Sequence, residues 1–229
     1  TLISFPTLVM LGVPPVVANM SNTVGLVGGS VAGSIGYRRE LRASTALIKL
    51  LLPASVLGAI VGALALLVLP ASVFRMVVPA LIAIGVILVL LGPRLARRRT
   101  EGTDAALSSG RKIAAVLATF ALGIYGGYFG AAQGIILMGV LGIITSATLQ
   151  SLNGIKNLTV LSVNLVAAVV FVVVAGASIN WLAAGLIAVG STLGGTAGAR
   201  VGRRIPDVVL RWVIAVVGVA AIVHQLFFV

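Results

Sequence analysis

Cysteine is absent from the 229 residues, histidine occurs once, at His224, and only four side chains are acidic. Each shortage excludes a class of chemistry. Without thiols there is no disulfide and no thiolate metal ligand, and a single histidine removes the usual basis for a zinc site. Glu40, Glu101, Asp104 and Asp207 all lie in polar segments, so no carboxylate proton relay crosses an apolar run. No Walker motif occurs, which excludes ATP as a direct driver. No nucleophile–base pair or metal cluster is legible either, so the chain does not read as an enzyme and no cofactor is expected.

What remains is apolar. The chain is 60% hydrophobic and 9% charged, with a mean hydropathy of +1.22, where soluble domains carry about a quarter charged residues. This composition is that of a polytopic membrane protein. The net charge of +12 resembles that of a nucleic-acid binder, but the basic residues sit in short loops between apolar runs, where the positive-inside rule puts them. The expected partners are therefore the lipid bilayer and a small substrate, with no nucleic acid. A homodimer is compatible with the sequence.

Residues 1–12 are apolar, interrupted by Pro6, and too short to span. No methionine or basic n-region begins the chain, which reads as one whose first segment is missing. Spans are expected at 16–36, 47–69 and 73–91. Residues 94–112 form a basic linker with Arg94, Arg97, Arg98, Arg99, Arg111 and Lys112. Residues 113–144 are apolar but broken by glycine, and further spans follow at 148–175, 181–199 and 212–229. Between them lie an uncharged turn at 176–180 and a basic loop at 200–211.

The halves resemble each other. Leu69-Pro70-Ala71-Ser72-Val73-Phe74-Arg75 aligns with Ile205-Pro206-Asp207-Val208-Val209-Leu210-Arg211, and Gly58 and Gly62 align with Gly194 and Gly198, all at an offset of 136 residues. Ser21-Asn22 aligns with Lys156-Asn157 at 135. Loop charge then assigns opposite orientations to the halves: the loop at 38–42 is basic and inside, whereas its counterpart at 176–180 is uncharged and outside. Inverted repeats put a substrate site near the membrane midplane. The expected fold is all-α, with two inverted repeats, each a re-entrant or broken helix followed by three transmembrane helices. Residues 1–93 form the first repeat, without its first limb, 94–112 a cytoplasmic linker, and 113–229 the second repeat. Residues 113–144 then enter and return on the inner side, turning at 126–130; the alternative, complete crossings throughout, puts the basic loop at 200–211 outside, against the loop-charge rule.

Glycine marks the candidate site. Gly123, Gly126, Gly127 and Gly130 form a dense, irregular cluster, unlike the four-residue ladders at Gly25–Gly33, Gly58–Gly62 and Gly190–Gly202, which suit helix packing. A helix broken there frees backbone N–H groups for an anion. Lys156 lies about 12 Å into its span at helical rise, where an ionisable residue points to function, although snorkelling to the interface fits its position equally well. Asn153 and Asn157 flank it.

The cluster at 123–130, Ala18-Asn19-Met20-Ser21-Asn22-Thr23, Tyr37-Arg38-Arg39 and Gly194-Gly195-Thr196-Ala197-Gly198-Ala199-Arg200 together resemble the TauE/SafE sulfite exporter family of bacterial membrane proteins. The resemblance covers the whole chain. It implies an inner-membrane, multi-pass secondary carrier that exports sulfite or an organosulfonate. Two departures stand out: the family's first glycine-rich motif, expected before Thr1, is absent, and Ala131-Ala132-Gln133 replaces further glycine.

The candidate substrate-binding residues are Lys156, Asn157, Asn153, Asn22, Ser21, Gly126, Gly127, Gly130 and Gln133. Asn22 and Asn157 also suit plain interhelical hydrogen bonding. The rival readings are an importer or anion channel on the same scaffold, and a membrane assembly factor without a substrate.

Overall fold

In the computed structural model, residues 1–38, 41, 44–74, 76–77, 79–83, 87, 108–145, 147–201, 216 and 219 are described. Regular structure among them is helical: α1 (Ser4–Met10), α2 (Pro15–Gly36), α3 (Thr45–Val68), α4 (Ser109–Tyr128), α5 (Gln133–Ile144), α6 (Leu149–Ala175) and α7 (Trp181–Val201), with a 3-10 turn at Gly176–Ser178. The described residues of 71–83 are helical as well.

Local chemistry starts and stops these helices. Gly12, at φ +83°, ends the turn after α1, and Pro15 opens α2, where its missing N–H costs nothing. The Thr148 hydroxyl accepts the Ser151 amide at the start of α6. Asn180 Oδ1 accepts the Ala183 amide at the start of α7. Ser108 caps α4, so residues 109–112, expected in the linker, belong to a helix instead. Residues 94–107 of the expected linker, 202–211 of the basic loop, and the last span with His224 (apart from residues 216 and 219) lie outside the described residues.

Two helices, Thr45–Val68 and Gln150–Ser178, are long and apolar enough to cross a membrane by length and composition. The 22-residue α2 is long enough, but Asn19, Ser21, Asn22 and Thr23 interrupt its apolar sequence. All four are buried, so they are spent inside the protein, as polar groups in lipid require. Around α2 the packing is direct: α7 lies along it and α6 crosses it, while α3 packs on α4 and α6.

The chain between residues 109 and 144 folds back on itself. Ala115, near the start of α4, shares a buried cluster with Leu137 and Leu141 of α5, together with Leu51, Leu152 and Ile155. The turn between the two helices lies in a different cluster, where Phe129 and Ala131 join Phe5, Val9 and Leu66. Phe5 meets Phe129 edge-on at 5.2 Å, so α1 caps the tip of the α4–α5 hairpin.

The position of the break differs from the sequence expectation. Gly126 and Gly127 remain helical to the end of α4 at Tyr128, and the non-helical residues are 129–132. Backbone packing explains this. A Cβ on Gly127 would strike the Ala59 carbonyl, and one on Gly123 would lie 2.7 Å from the Ser55 carbonyl. These glycines fit α4 against α3. The left-handed backbone that turns the chain falls on Gly130 (φ +74°) and Ala132 (φ +57°).

Candidate functional site

A cavity of about 340 Å³ opens where α2, α6 and α7 meet the tip of the hairpin. From α2 come Leu26, Gly29, Ser30 and Gly33, from α6 Asn157, Val160 and Asn164, and from α7 Ser191. Gly130 and Thr1 close one end. A water's share of liquid volume is about 30 Å³, so the space suits a small oxyanion together with some of its hydration. None of these lining side chains is charged.

Three of these polar side chains are held in place by hydrogen bonds. Asn164 Nδ2 donates to Ser30 Oγ at 2.9 Å, and Ser30 donates to the Leu26 carbonyl at 2.9 Å. Ser191 Oγ donates to the Gly25 carbonyl at 3.0 Å. Ser34, one turn below, donates to the Asn157 carbonyl at 3.1 Å. These bonds fix the seam between helices and leave amide and hydroxyl groups facing the space. Asn157 and Asn164 stand seven residues apart, two turns along one face of α6.

Of the residues singled out from the sequence, Gly130 and Asn157 line this cavity. Asn22 stands just behind it: it accepts from the Ser4 hydroxyl, and its Nδ2 donates to Thr1 Oγ1 at 3.3 Å. Ser21 is turned elsewhere, accepting the Asn180 amide at 2.9 Å and so holding the turn before α7. Gln133 is buried and donates from Nε2 to the Leu122 carbonyl at 3.0 Å. Its carboxamide fills the gap left by the missing side chain of Gly126. Gln133 and Gly126 thus clamp the two limbs of the hairpin, and Gly127 is committed to α3.

Lys156 does not line the cavity. Its ammonium donates to Asn153 Oδ1 at 3.1 Å, and its stem lies against Gly134, where a Cβ would sit 3.0 Å from both Lys156 Cγ and Cδ. Val160, which does line the cavity, approaches the same point at 3.5 Å. Lys156 and Asn153 therefore pair toward the start of α6, outside the lining of the cavity.

Ser30, Asn164 and Ser191 were not singled out from the sequence. A signal existed for Asn164, a lone amide among valines and leucines at a spacing of seven from Asn157. Ser30 and Ser191 sit in glycine-rich ladders and look like ordinary small packing residues.

The family described as Sulfite exporter TauE/SafE matches residues 1–224 of the chain. No curated protein and no solved structure matches it.

Proposed function

The chain belongs to the sulfite exporter TauE/SafE family of membrane transport proteins, and from that premise we propose that it carries a small sulfur oxyanion, sulfite or an organosulfonate, outward through the α2–α6–α7 cavity. The observation that carries the reading is the cavity itself: amide and hydroxyl groups of Asn157, Asn164, Ser30 and Ser191 in otherwise apolar surroundings. All four are partly exposed. Asn164 is tied to Ser30 and Ser191 to the Gly25 carbonyl, and the set keeps capacity for a polar guest. Neutral donors bind an oxyanion while letting it leave, which a carrier needs. Lys156 and Asn153 act at the mouth of the path, drawing the anion toward the cavity through electrostatic steering.

The inverted repeat is part of this proposal, and the helix packing is compatible with it. Exchanging the halves pairs α1 with α5, α2 with α6, and α3 with α7. The packing respects the exchange: α1 on α2 corresponds to α5 on α6, and α2 on α7 corresponds to α6 on α3. The cavity then lies beside the α2–α6 crossing, where the repeats meet. This is the location expected for a substrate in such carriers. We take the setting to be the bacterial inner membrane, crossed several times. An inside-negative potential favours anion exit by about 2.3 kcal/mol per charge per 100 mV, so export needs no carboxylate relay.

The test is efflux of radiolabelled sulfite from anaerobic proteoliposomes under an imposed inside-negative potential. Export predicts protein-dependent efflux that quickens with voltage. Efflux no faster than from protein-free vesicles would leave the assembly-factor reading. The topology has its own check in this cysteine-free chain: Gly110→Cys and Gln150→Cys should be labelled by an impermeant thiol reagent from the same side. Labelling from opposite sides would contradict the re-entrant hairpin.

A further inference from the structure

Several oxygen atoms at the end of α4 have no hydrogen-bond donor among the described residues. Asn19 is fully buried and donates from Nδ2 to the Tyr128 carbonyl at 2.9 Å, which leaves its own Oδ1 unpartnered. Because α4 stops at Tyr128, the carbonyls of Gly126 and Gly127 lose the amides that a continuing helix would bring. The Gly130 amide turns back to the Tyr125 carbonyl at 3.1 Å, alongside that of Phe129 at 2.9 Å. The Phe129 carbonyl is also left over, since the Gln133 amide is directed to Gly130. Gly126, Gly127 and Phe129 are buried.

Asn19 Oδ1 and these carbonyls are acceptors at the negative end of a helix dipole, and the amides of the same turn that have no acceptor among the described residues, those of Ala131, Ala132 and Gly134, belong to the start of α5. A buried water makes about three hydrogen bonds but has only two hydrogens to donate, so one water cannot serve them all. A cation can. Broken-helix carriers use unwound carbonyls and half-helix C-termini in this way to hold Na⁺. The neighbouring cavity has the opposite shortage, since no cationic side chain lines it although its proposed guest is an anion. Gly130 joins the two: it lines the cavity, and its Cβ position lies 2.9 Å from the Gly126 carbonyl.

We infer that Asn19 Oδ1 and the carbonyls at the end of α4 form a site for a dehydrated monovalent cation of the Na⁺ class, which gives the anion cavity its missing positive charge. The link to sulfite rests on the export reading, whereas the cation site stands on the unpaired oxygens alone.

The first measurement is the melting temperature of the purified protein without sulfite, in NaCl or choline chloride at equal ionic strength. A saturable, Na⁺-dependent rise is expected in the wild type and should be lost in Asn19→Ala. Asn19→Asp keeps an oxygen and adds charge, so it should saturate at lower Na⁺. Equal melting in Na⁺ and choline would overturn the site and leave the oxygens to water. An undiminished shift in Asn19→Ala would move the site elsewhere. Should Asn19→Ala fail to fold, an unchanged half-saturation in Asn19→Asp would overturn the assignment.

Sulfite flux is the second measurement. It should fall about tenfold or more when choline replaces Na⁺, the scale of losing a charge-assisted contact. Equal flux would overturn the link to the anion. No flux in either salt, with the Na⁺ shift intact, would overturn the export reading and support the cation site.

Discussion

The α3–α4 seam and the α2–α7 seam are both built on glycines about four residues apart, yet they enclose different things. Where α3 meets α4, the atoms nearest to a Cβ on Gly58, Gly62, Gly123 or Gly127 are all backbone: the carbonyls of Phe120, Ile124, Ser55 and Ala59. Between α2 and α7 they include side chains. Gly25 faces Ile187 Cβ at 2.6 Å, Gly28 faces the Thr192 hydroxyl, and Gly29 faces Ser191 Cβ at 2.8 Å. The first seam is backbone against backbone and has no room for a guest. The second lets small polar side chains into the gaps, and on its α6 side it widens into the cavity. A glycine ladder therefore sets how closely two helices approach, and the residues interleaved with the glycines decide whether the seam is dry.

Four substitutions can break or sharpen this contrast. The largest effect is expected at Gly62. Leucine there meets the Ile124 carbonyl and the Tyr128 amide at 2.8 Å, and backbone cannot move aside as a side chain can. Overpacking usually costs roughly 1–3 kcal/mol, and this site belongs at the top of that range. Gly62→Leu should lose most of its folded, inserted protein in a fluorescence size-exclusion assay. Normal yield would mean that the α3–α4 seam is looser than described.

Next is Lys156. As a charge at the mouth it should affect capture more than holding, so Lys156→Ala should raise the sulfite half-saturation by about three- to fivefold, the scale of a partly exposed charge. The effect should shrink at high salt, and arginine should largely restore it. A loss that salt does not alter would bring Lys156 into the binding site itself.

Ser191→Ala should do less, removing the hydroxyl that donates to the Gly25 carbonyl and accepts the Gly29 amide across the α2–α7 seam. Membrane hydrogen bonds of this kind average about 0.6 kcal/mol, to be read as a small fall in melting temperature. The smallest effect belongs to Gly190→Ala, since nothing stands within 4 Å of the new Cβ. Melting and flux should match the wild type, and a clear loss of either would mean that another segment covers that face of α7.

The helical character was legible because apolar runs mark helices. Glycine marks where backbones touch at Gly58, Gly62, Gly123 and Gly127, but Gly33, Gly190 and Gly194, expected to pack as well, have nothing within 4 Å of a new Cβ. The break near Gly130 was legible as an irregularity, but its position was not. Gly126 and Gly127 look as breakable as Gly130 in sequence, and only the seam with α3 commits them to the helix. Site residues were harder to find. Asn157 stood out by its chemistry, whereas Ser30 and Ser191 gain their meaning from which helices cross beside them. Lys156 stood out most and lies outside the cavity, because its long stem follows Gly134 away from the α2–α6 crossing.

The central claim is that the cavity between α2, α6 and α7 holds the anion, and Asn164→Leu tests it most directly. The substitution keeps roughly the same volume, removes the amide that spans to Ser30, and touches neither the hairpin nor Lys156. Radiolabelled sulfite counterflow should be measured in proteoliposomes with matched insertion. The account predicts a half-saturation raised about three- to tenfold, the scale of one neutral hydrogen bond of roughly 1 kcal/mol, with Gly190→Ala alongside at the wild-type value. Wild-type half-saturation and rate in Asn164→Leu would contradict it.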